Sequence, residues 1–278
     1  MEDYIIEEKQ IKIVGDPLVR FTEDPLLILQ AVRAAAEEGL PLHKATKDAI
    51  PEKRELLKTI DISGIRQEFE KIITAEFAGK GLKMLLNARL MQYIIGDLAD
   101  YMTKWSVKQL AILAENIDKT KRIKERRLGL FYLCFEKKQA FEAINLLKYD
   151  IETRTRLTDA LNHLDALNFL ATKEELKRFL SRRGRESYEY LDGLSKAQRI
   201  VYDLHESKIL SRQYLMQLIQ NNDEPIYLED LSIDKNDIIE NGIATGGKAD
   251  QILEELLDLV HRQPGLNSKK TLLKSAVI

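Results

Sequence analysis

Residues 14–39, VGDPLVRFTEDPLLILQAVRAAAEEG, constrain this chain more than any other stretch. Gly15-Asp16-Pro17 is a turn signal, since proline presets one turn dihedral and aspartate bonds nearby backbone. Thr22 reads as an N-cap, with Glu23 and Asp24 in a first turn where the helix dipole favours carboxylates. Pro25 is tolerated there because its missing donor would have no partner anyway. Leu26, Leu29, Ala31, Val32, Ala35 and Ala36 then fall near helical spacing, and Gly39 ends the run. Taken alone, this is a capped amphipathic helix.

Arg20-Phe21-Thr22-Glu23-Asp24-Pro25-Leu26, followed by Ala31-Val32-Arg33, resembles the neck helix of class II tRNA nucleotidyltransferases, the CCA-adding enzymes and bacterial poly(A) polymerases. That family's neck carries Arg-Phe and then Glu-Asp-x-x-Arg-x-x-Arg, whose Asp and first Arg template the incoming base. The resemblance implies a nucleotide-binding remnant at Arg20, Glu23, Asp24 and Arg33. Leu27 and Gln30 stand where the family has arginine. Further on, Glu68-Phe69-Glu70-Lys71-Ile72 resembles a second family segment, but Ser63-Gly64 replaces the Glu-Arg pair that supports the nucleotide site. The departures fall on nucleotide-selecting positions, and the packing positions persist. A lapsed base-templating site on a retained scaffold is the expectation.

The resemblance also implies a nucleotidyltransferase head with a strand-borne Asp-x-Asp pair, needed to clamp two metal ions. No such pair occurs in this sequence. Residues 1–13 show only a short alternating apolar pattern, a strand or a frayed lead-in. Gly246-Gly247-Lys248 lacks the flanking residues of a Walker loop. The histidines are His43, His163, His205 and His261; none precedes Asp, so a His-Asp metal-dependent phosphohydrolase is not expected, nor any metal site or cofactor. The expectation is a chain that adds no nucleotides unaided.

At 278 residues the chain is long enough for one large or two smaller domains. Its 44% hydrophobic and 32% charged content fits a soluble globular protein, and 13 Gly and 6 Pro suit helices over loops. A net charge of −2 leaves the choice of partner to local clusters. Cys134, in the apolar run LGLFYLCF, reads as a buried small hydrophobe with no intrachain disulfide partner, consistent with a reducing cytoplasm. There is no signal-peptide pattern and no apolar run near the roughly 20 residues that span a bilayer.

In chain order, His43 is a surface or capping residue, Pro51 interrupts a helical piece, and Ser63 caps a helix over 65–74 with Ile65, Phe69, Ile72 and Ile73 as its apolar stripe. Helical periodicity continues over 91–120, with Trp105 in a core or capping role. KTKRIKERR at 119–127 is either a solvated helix face or a phosphate-tracking patch through Lys121, Arg122, Lys124, Arg126 and Arg127. Thr172-Lys173-Glu174-Glu175 is a capping box. Arg182, Arg183 and Arg185 flank Gly184: they either complement a helix C-terminus or clamp phosphate, with Tyr188 and Tyr190 as stacking platforms. Residues 231–243 and 246–273 resemble the family's tail, although Asn236 and Asp250 stand at or beside family glycines. Gly246, Gly247 and Lys248 at a helix start offer amide donors to a phosphate, or are an ordinary glycine-rich turn.

The resulting expectation is an all-α, elongated multi-helix array: a lead-in over 1–13, a neck over 14–90, a body over 91–222 and a tail over 223–278. Its expected role is binding of RNA, tRNA or a tRNA-like acceptor stem. The alternatives are a subunit of an active enzyme whose head is encoded separately, and a helical protein-interaction scaffold.

Overall fold

A computed structural model describes residues 3–96 and 102–277. Part of the helical stretch expected over 91–120, residues 97–101, lies outside the described residues. The architecture is all-α with one antiparallel hairpin, β1 (Tyr4–Glu7) and β2 (Gln10–Ile13), in register Tyr4 to Ile13 and Ile6 to Ile11. Ile11 and Ile13 are the buried side of β2, whose other edge bridges Leu42. The helices are α1 (Pro17–Glu23), α2 (Leu27–Glu38), α3 (Lys44–Lys53), α4 (Ile62–Thr74), α5 (Ala78–Asn87), α6 (Gln92–Ile95), α7 (Lys104–Asn116), α8 (Lys124–Tyr132), α9 (Lys137–Leu146), α10 (Ile151–Phe169), α11 (Lys173–Tyr202), α12 (Ser207–Asn221), α13 (Lys235–Glu240), α14 (Gly247–Arg262) and α15 (Lys269–Ser275). Among the described residues no helix is long and apolar enough to cross a membrane.

Several boundaries differ from those the sequence suggests. Thr22 is not a cap: its hydroxyl donates to Leu18 O within α1, and Asp16 caps that helix with Pro17 in its first turn. The break comes at Asp24, which closes α1 and accepts from Leu26 N before α2 begins. Asp61, not Ser63, caps α4, because aspartate ahead of Ile62 takes the Ser63 amide first. Pro51 does not interrupt α3; it sits in the last turn, and a 3₁₀ turn follows. Trp105 is half exposed, since α7 buries Ser106, Leu110 and Leu113 instead. Gly39 does end α2, at φ 67°, the left-handed geometry that glycine adopts without penalty.

The chain forms two compact units, Met1–Asn162 with Gly193–Leu204, and His163–Asp192 with His205–Ile278. In the first, α2 is the central element: Leu27, Ile28, Leu29, Ala31, Val32, Ala34, Ala35 and Ala36 are all buried against α4 and α5. Its alanines permit close approach; a Cβ on Gly81 would lie 3.0 Å from Ala36 Cβ and 2.7 Å from Ile72. The LGLFYLCF run supplies an edge-to-face aromatic cluster, Phe131 against Phe69 at 4.9 Å and Phe135 at 5.2 Å. Cys134 is fully buried, and burial pushes its thiol up to about 12.

The second unit has its core in Leu231, Ile233, Ile238, Leu253, Leu256, Leu257, Val260 and Leu272. Asn267 ties the tail together: it donates to Asp230 O and accepts from Ser232 N. The Thr172–Glu175 capping box forms, and the helix it opens breaks at Gly184 (φ 80°, ψ 159°) before helical turns resume. Lys177 is fully buried in this unit, with Nζ 2.9 Å from Glu224, which Lys173 also reaches. Burial would raise the Glu224 carboxyl, but hydrogen bonds from both lysines hold it below the usual carboxylate range. Nearby His261 is buried with Nε2 on Ile226 O, and burial lowers its basicity. Both groups bind fewer protons folded than unfolded, so acid must destabilise this unit. Its denaturation midpoint is expected to fall as pH drops through roughly 6.5, the ordinary histidine value, and to fall further below roughly 4.5, the ordinary glutamate value. Chemical denaturation at stepped pH checks this; a midpoint unchanged between neutral and mildly acidic pH would contradict it.

Candidate nucleic-acid interface

The neck residues divide between two surroundings. Arg20 is held by Asp3 at 2.8 Å and Glu23 at 3.2 Å, and Glu23 and Asp24 are exposed. Arg33 Nε lies 3.2 Å from the buried Glu68 and 3.9 Å from Glu37, and Lys71 shares Glu68 at 2.9 Å. Arg33 and Gln30 line a pocket of about 410 Å³ with Asp3, Tyr4, Ile5, Ile6 and Glu38. The structure thus brings Gln30 and Arg33 together but leaves Glu23 and Asp24 out of that lining. The pocket's one arginine already faces two carboxylates, Glu37 and Glu68, and Glu38 adds a third acid to the lining. Leu27, at a position where the family has arginine, is completely buried. Little here attracts a nucleotide triphosphate.

The basic run at 119–127 is not one face. Arg127 is 1% exposed, and its guanidinium donates to Ile73 O, Ala75 O, Ile117 O and Thr120 O. It closes the C-terminus of α4 and the turn ahead of α8, so its assignment to RNA is corrected: it is a structural staple. Arg126 packs on Gly193, where an added Cβ would lie 2.3 Å from the guanidinium. Lys124 approaches Glu125 and Asp150 at 3.6 and 3.8 Å. Lys119, Lys121 and Arg122 are the exposed members, Lys119 bonded to Asn116 and Arg122 only loosely paired to Glu76 at 3.8 Å.

In the second unit Arg182 and Arg183 are exposed, and Arg185 pairs with Glu189 at 2.9 Å. Arg182 lines a pocket of about 500 Å³ with Glu229, Glu254, Glu255 and Asp258, surroundings that repel phosphate. Tyr188 and Tyr190 are each 7% exposed and cannot act as stacking platforms; burial raises the Tyr188 hydroxyl to about 12. Two residues apart they point to nearly opposite sides of α11, and both are buried because the helix is packed around much of its circumference here, which the arginine-rich sequence beside them hides. Gly246, Gly247 and Lys248 are exposed at the start of α14, as the sequence suggests, but Asp250 already occupies that first turn and pairs with Lys235 at 2.7 Å.

Sequence reading passes over another set, Lys47, Lys83 and Arg89, exposed around the apolar surface of α3 and α5. Acids of the same stretch are largely matched: Asp48 by Lys44, Glu55 by Lys58, Glu68 by Lys71 and Glu70 by Arg66. These cations escape notice because they are scattered over helices rather than run together.

Residues 39–102, which include those three cations, match the family model described as "Probable RNA and SrmB- binding site of polymerase A". The CCA-adding enzyme of Leuconostoc citreum is 36% identical over 98 residues, 34% of this chain and 24% of that protein. That of Pediococcus pentosaceus is 36% identical over 110 residues, 38% of this chain and 28% of that protein. The crystal structure of the Bacillus stearothermophilus CCA-adding enzyme in complex with CTP superimposes with a TM-score of 0.73 over 96% of this chain, at 21% identity. In these stretches and in its fold the chain is similar to class II tRNA nucleotidyltransferases. It spans 65% of that solved chain, and its matched stretches span about a quarter of the curated relatives. Its helical architecture matches that of the solved CCA-adding enzyme, and residues 39–102 are the part that matches the RNA-binding-site model.

Proposed function

We propose that this chain binds structured RNA, with tRNA or a tRNA-like acceptor stem as its partner, and has given up base selection. The observation that carries the reading is the RNA-binding match at 39–102, together with uncommitted cations on that segment. Lys47, Lys83 and Arg89, with Lys121 and Arg122 from the body, supply phosphate contacts; Arg182 and Arg183 are secondary members. Phosphate contacts position an RNA without reading its sequence, as recognition by shape requires. The loss of base templating is supported by a buried Leu27 and an acid-surrounded Arg33. With Cys134 as its single cysteine, a reducing cytoplasm suits the chain.

Titration with tRNA at several salt concentrations tests this. Affinity is expected to fall steeply with salt, the slope reporting the number of phosphates neutralised. Replacing Lys121 and Arg122 by Ala is expected to flatten the slope by up to about two contacts; replacing Arg182, Arg183 and Arg185 flattens it by at most about three. No binding at about 50 mM salt, where phosphate contacts are strongest, overturns the reading in favour of a protein scaffold. ATP and CTP are expected to bind no more tightly than roughly millimolar, about −4 kcal/mol. Micromolar binding that disappears in Asp24→Ala would show a surviving nucleotide site.

A second reading, service to an active nucleotidyltransferase head, is favoured by one observation. Ile5 and Ile6, on strand β1 of the hairpin, are 41% and 52% exposed, an apolar surface suited to an adjoining domain. CCA addition on supplying a head domain would support it.

A further inference from the structure

The first unit holds an apolar pocket of about 380 Å³ between the β2-bridging strand at Leu42, α3 and α5. Its walls are Leu42, Ile50, Pro51 and Met84, and its polar groups are Lys47 and Asn87. It is separate from the Gln30–Arg33 pocket that the neck motif points to. The frame is fixed: Arg54 donates to Ala88 O at 2.9 Å, and Lys80 bonds Gly39 O at the other end of the α5 face.

Resting on the RNA-binding reading above, we propose that this pocket receives one unpaired nucleobase of the bound RNA, with Lys47 on its phosphate and Asn87 on its polar edge. Two features select a base over the apolar anchor of a protein partner. The Asn87 amide presents donors and an acceptor together, which match a base edge and which a hydrocarbon side chain would bury without partners. Lys47 lines the pocket, Lys83 and Arg89 are exposed and adjoin its lining residues Met84 and Ala88 in sequence, and Asp48, Glu55 and Glu70 are already paired. A polyanion fits such a rim. The aliphatic Pro51 ring and the polarisable Met84 thioether supply apolar contact for a planar heterocycle without reading its identity, so the site holds a base by shape.

The test uses the full chain and an RNA hairpin with a short unpaired end, compared with versions made abasic at each unpaired position. One abasic position is expected to weaken wild-type binding about tenfold, the usual loss for a single docked base. Asn87→Ala should weaken binding of the intact RNA several-fold, erase the penalty at that abasic position, and leave the salt slope unchanged. Lys47→Ala should flatten the slope by about one. Both side chains are exposed, so melting temperatures should match wild type. If the hairpin binds but no abasic position matters, or if Asn87→Ala keeps the discrimination, the base pocket is wrong and the RNA-binding reading stands. If the hairpin and tRNA both fail to bind wild type, both proposals fall, and a protein anchor becomes the pocket's occupant.

Discussion

Arg127→Ala is expected to cost about 3–5 kcal/mol of folding stability, the range for breaking a buried charged hydrogen-bond set. The size follows from what the side chain leaves behind. Its guanidinium serves carbonyls at Ile73, Ala75, Ile117 and Thr120, and the residue is 1% exposed. Ile73 lies in the last turn of α4 and Ala75 is its C-cap, where the final carbonyls have no intrahelical donor. Removing the guanidinium strands these acceptors where water enters only by opening the packing. Lysine should rescue little, because a single ammonium cannot span acceptors on two turns as the planar fork does. At roughly 3 °C per kcal/mol for a unit of this size, the melting temperature should drop by about 10 °C. The contrast is with Lys121→Ala or Arg122→Ala, exposed cations whose loss should change stability by about 0–1 kcal/mol while weakening RNA binding. A substitution at Arg127 that leaves melting unchanged but lowers RNA affinity would reverse the assignment and return this residue to the interface.

Arg127 and Arg122 are indistinguishable in a string such as KTKRIKERR, and this marks the limit of what the chain discloses in one dimension. Elements governed by local rules are legible. The α2 stripe ends at Gly39, the Thr172 box opens its helix, Gly184 breaks one and Gly246 starts another, because each depends on neighbours within a turn. The apolar run around Cys134 is legible as core for the same reason. Cap positions shift by a residue or two where several polar residues compete, as Asp61 and Ser63 do. What is not legible is burial of charge. Lys177 reaches Glu224, 47 residues away, and Arg127 reaches Ile73, 54 away, so neither partner shows in any local window. The same blindness runs in reverse at the site: Lys47 on α3 and Asn87 on α5 come to one pocket only through the packing of the two helices in the unit. Tyr188 and Tyr190 look like stacking residues beside arginines, but which way a helix turns its aromatics is decided by tertiary contacts.

Leu27→Arg, the substitution that would rebuild the family's templating side chain, is expected to destabilise the protein by at least about 3 kcal/mol and to confer no nucleotide binding. Leu27 is 0% exposed at the start of α2, the helix whose flanking residues Ile28 and Leu29 are equally buried. An arginine there must either desolvate its charge or drag its stem through packed neighbours to reach water. It would also place a cation at a helix N-terminus, where the dipole disfavours it. The half-buried Gln30 is different: it already lines the pocket with Asp3 and Glu38, so Gln30→Arg should be tolerated within about 1 kcal/mol. The two positions therefore differ in their surroundings, one in the core and one on a polar rim. Denaturant melts of both variants, with ATP and CTP titrations alongside, separate these outcomes. A Leu27→Arg protein as stable as wild type that binds CTP at micromolar concentration would mean that the neck keeps an open templating cleft, and that the missing arginine alone silences it.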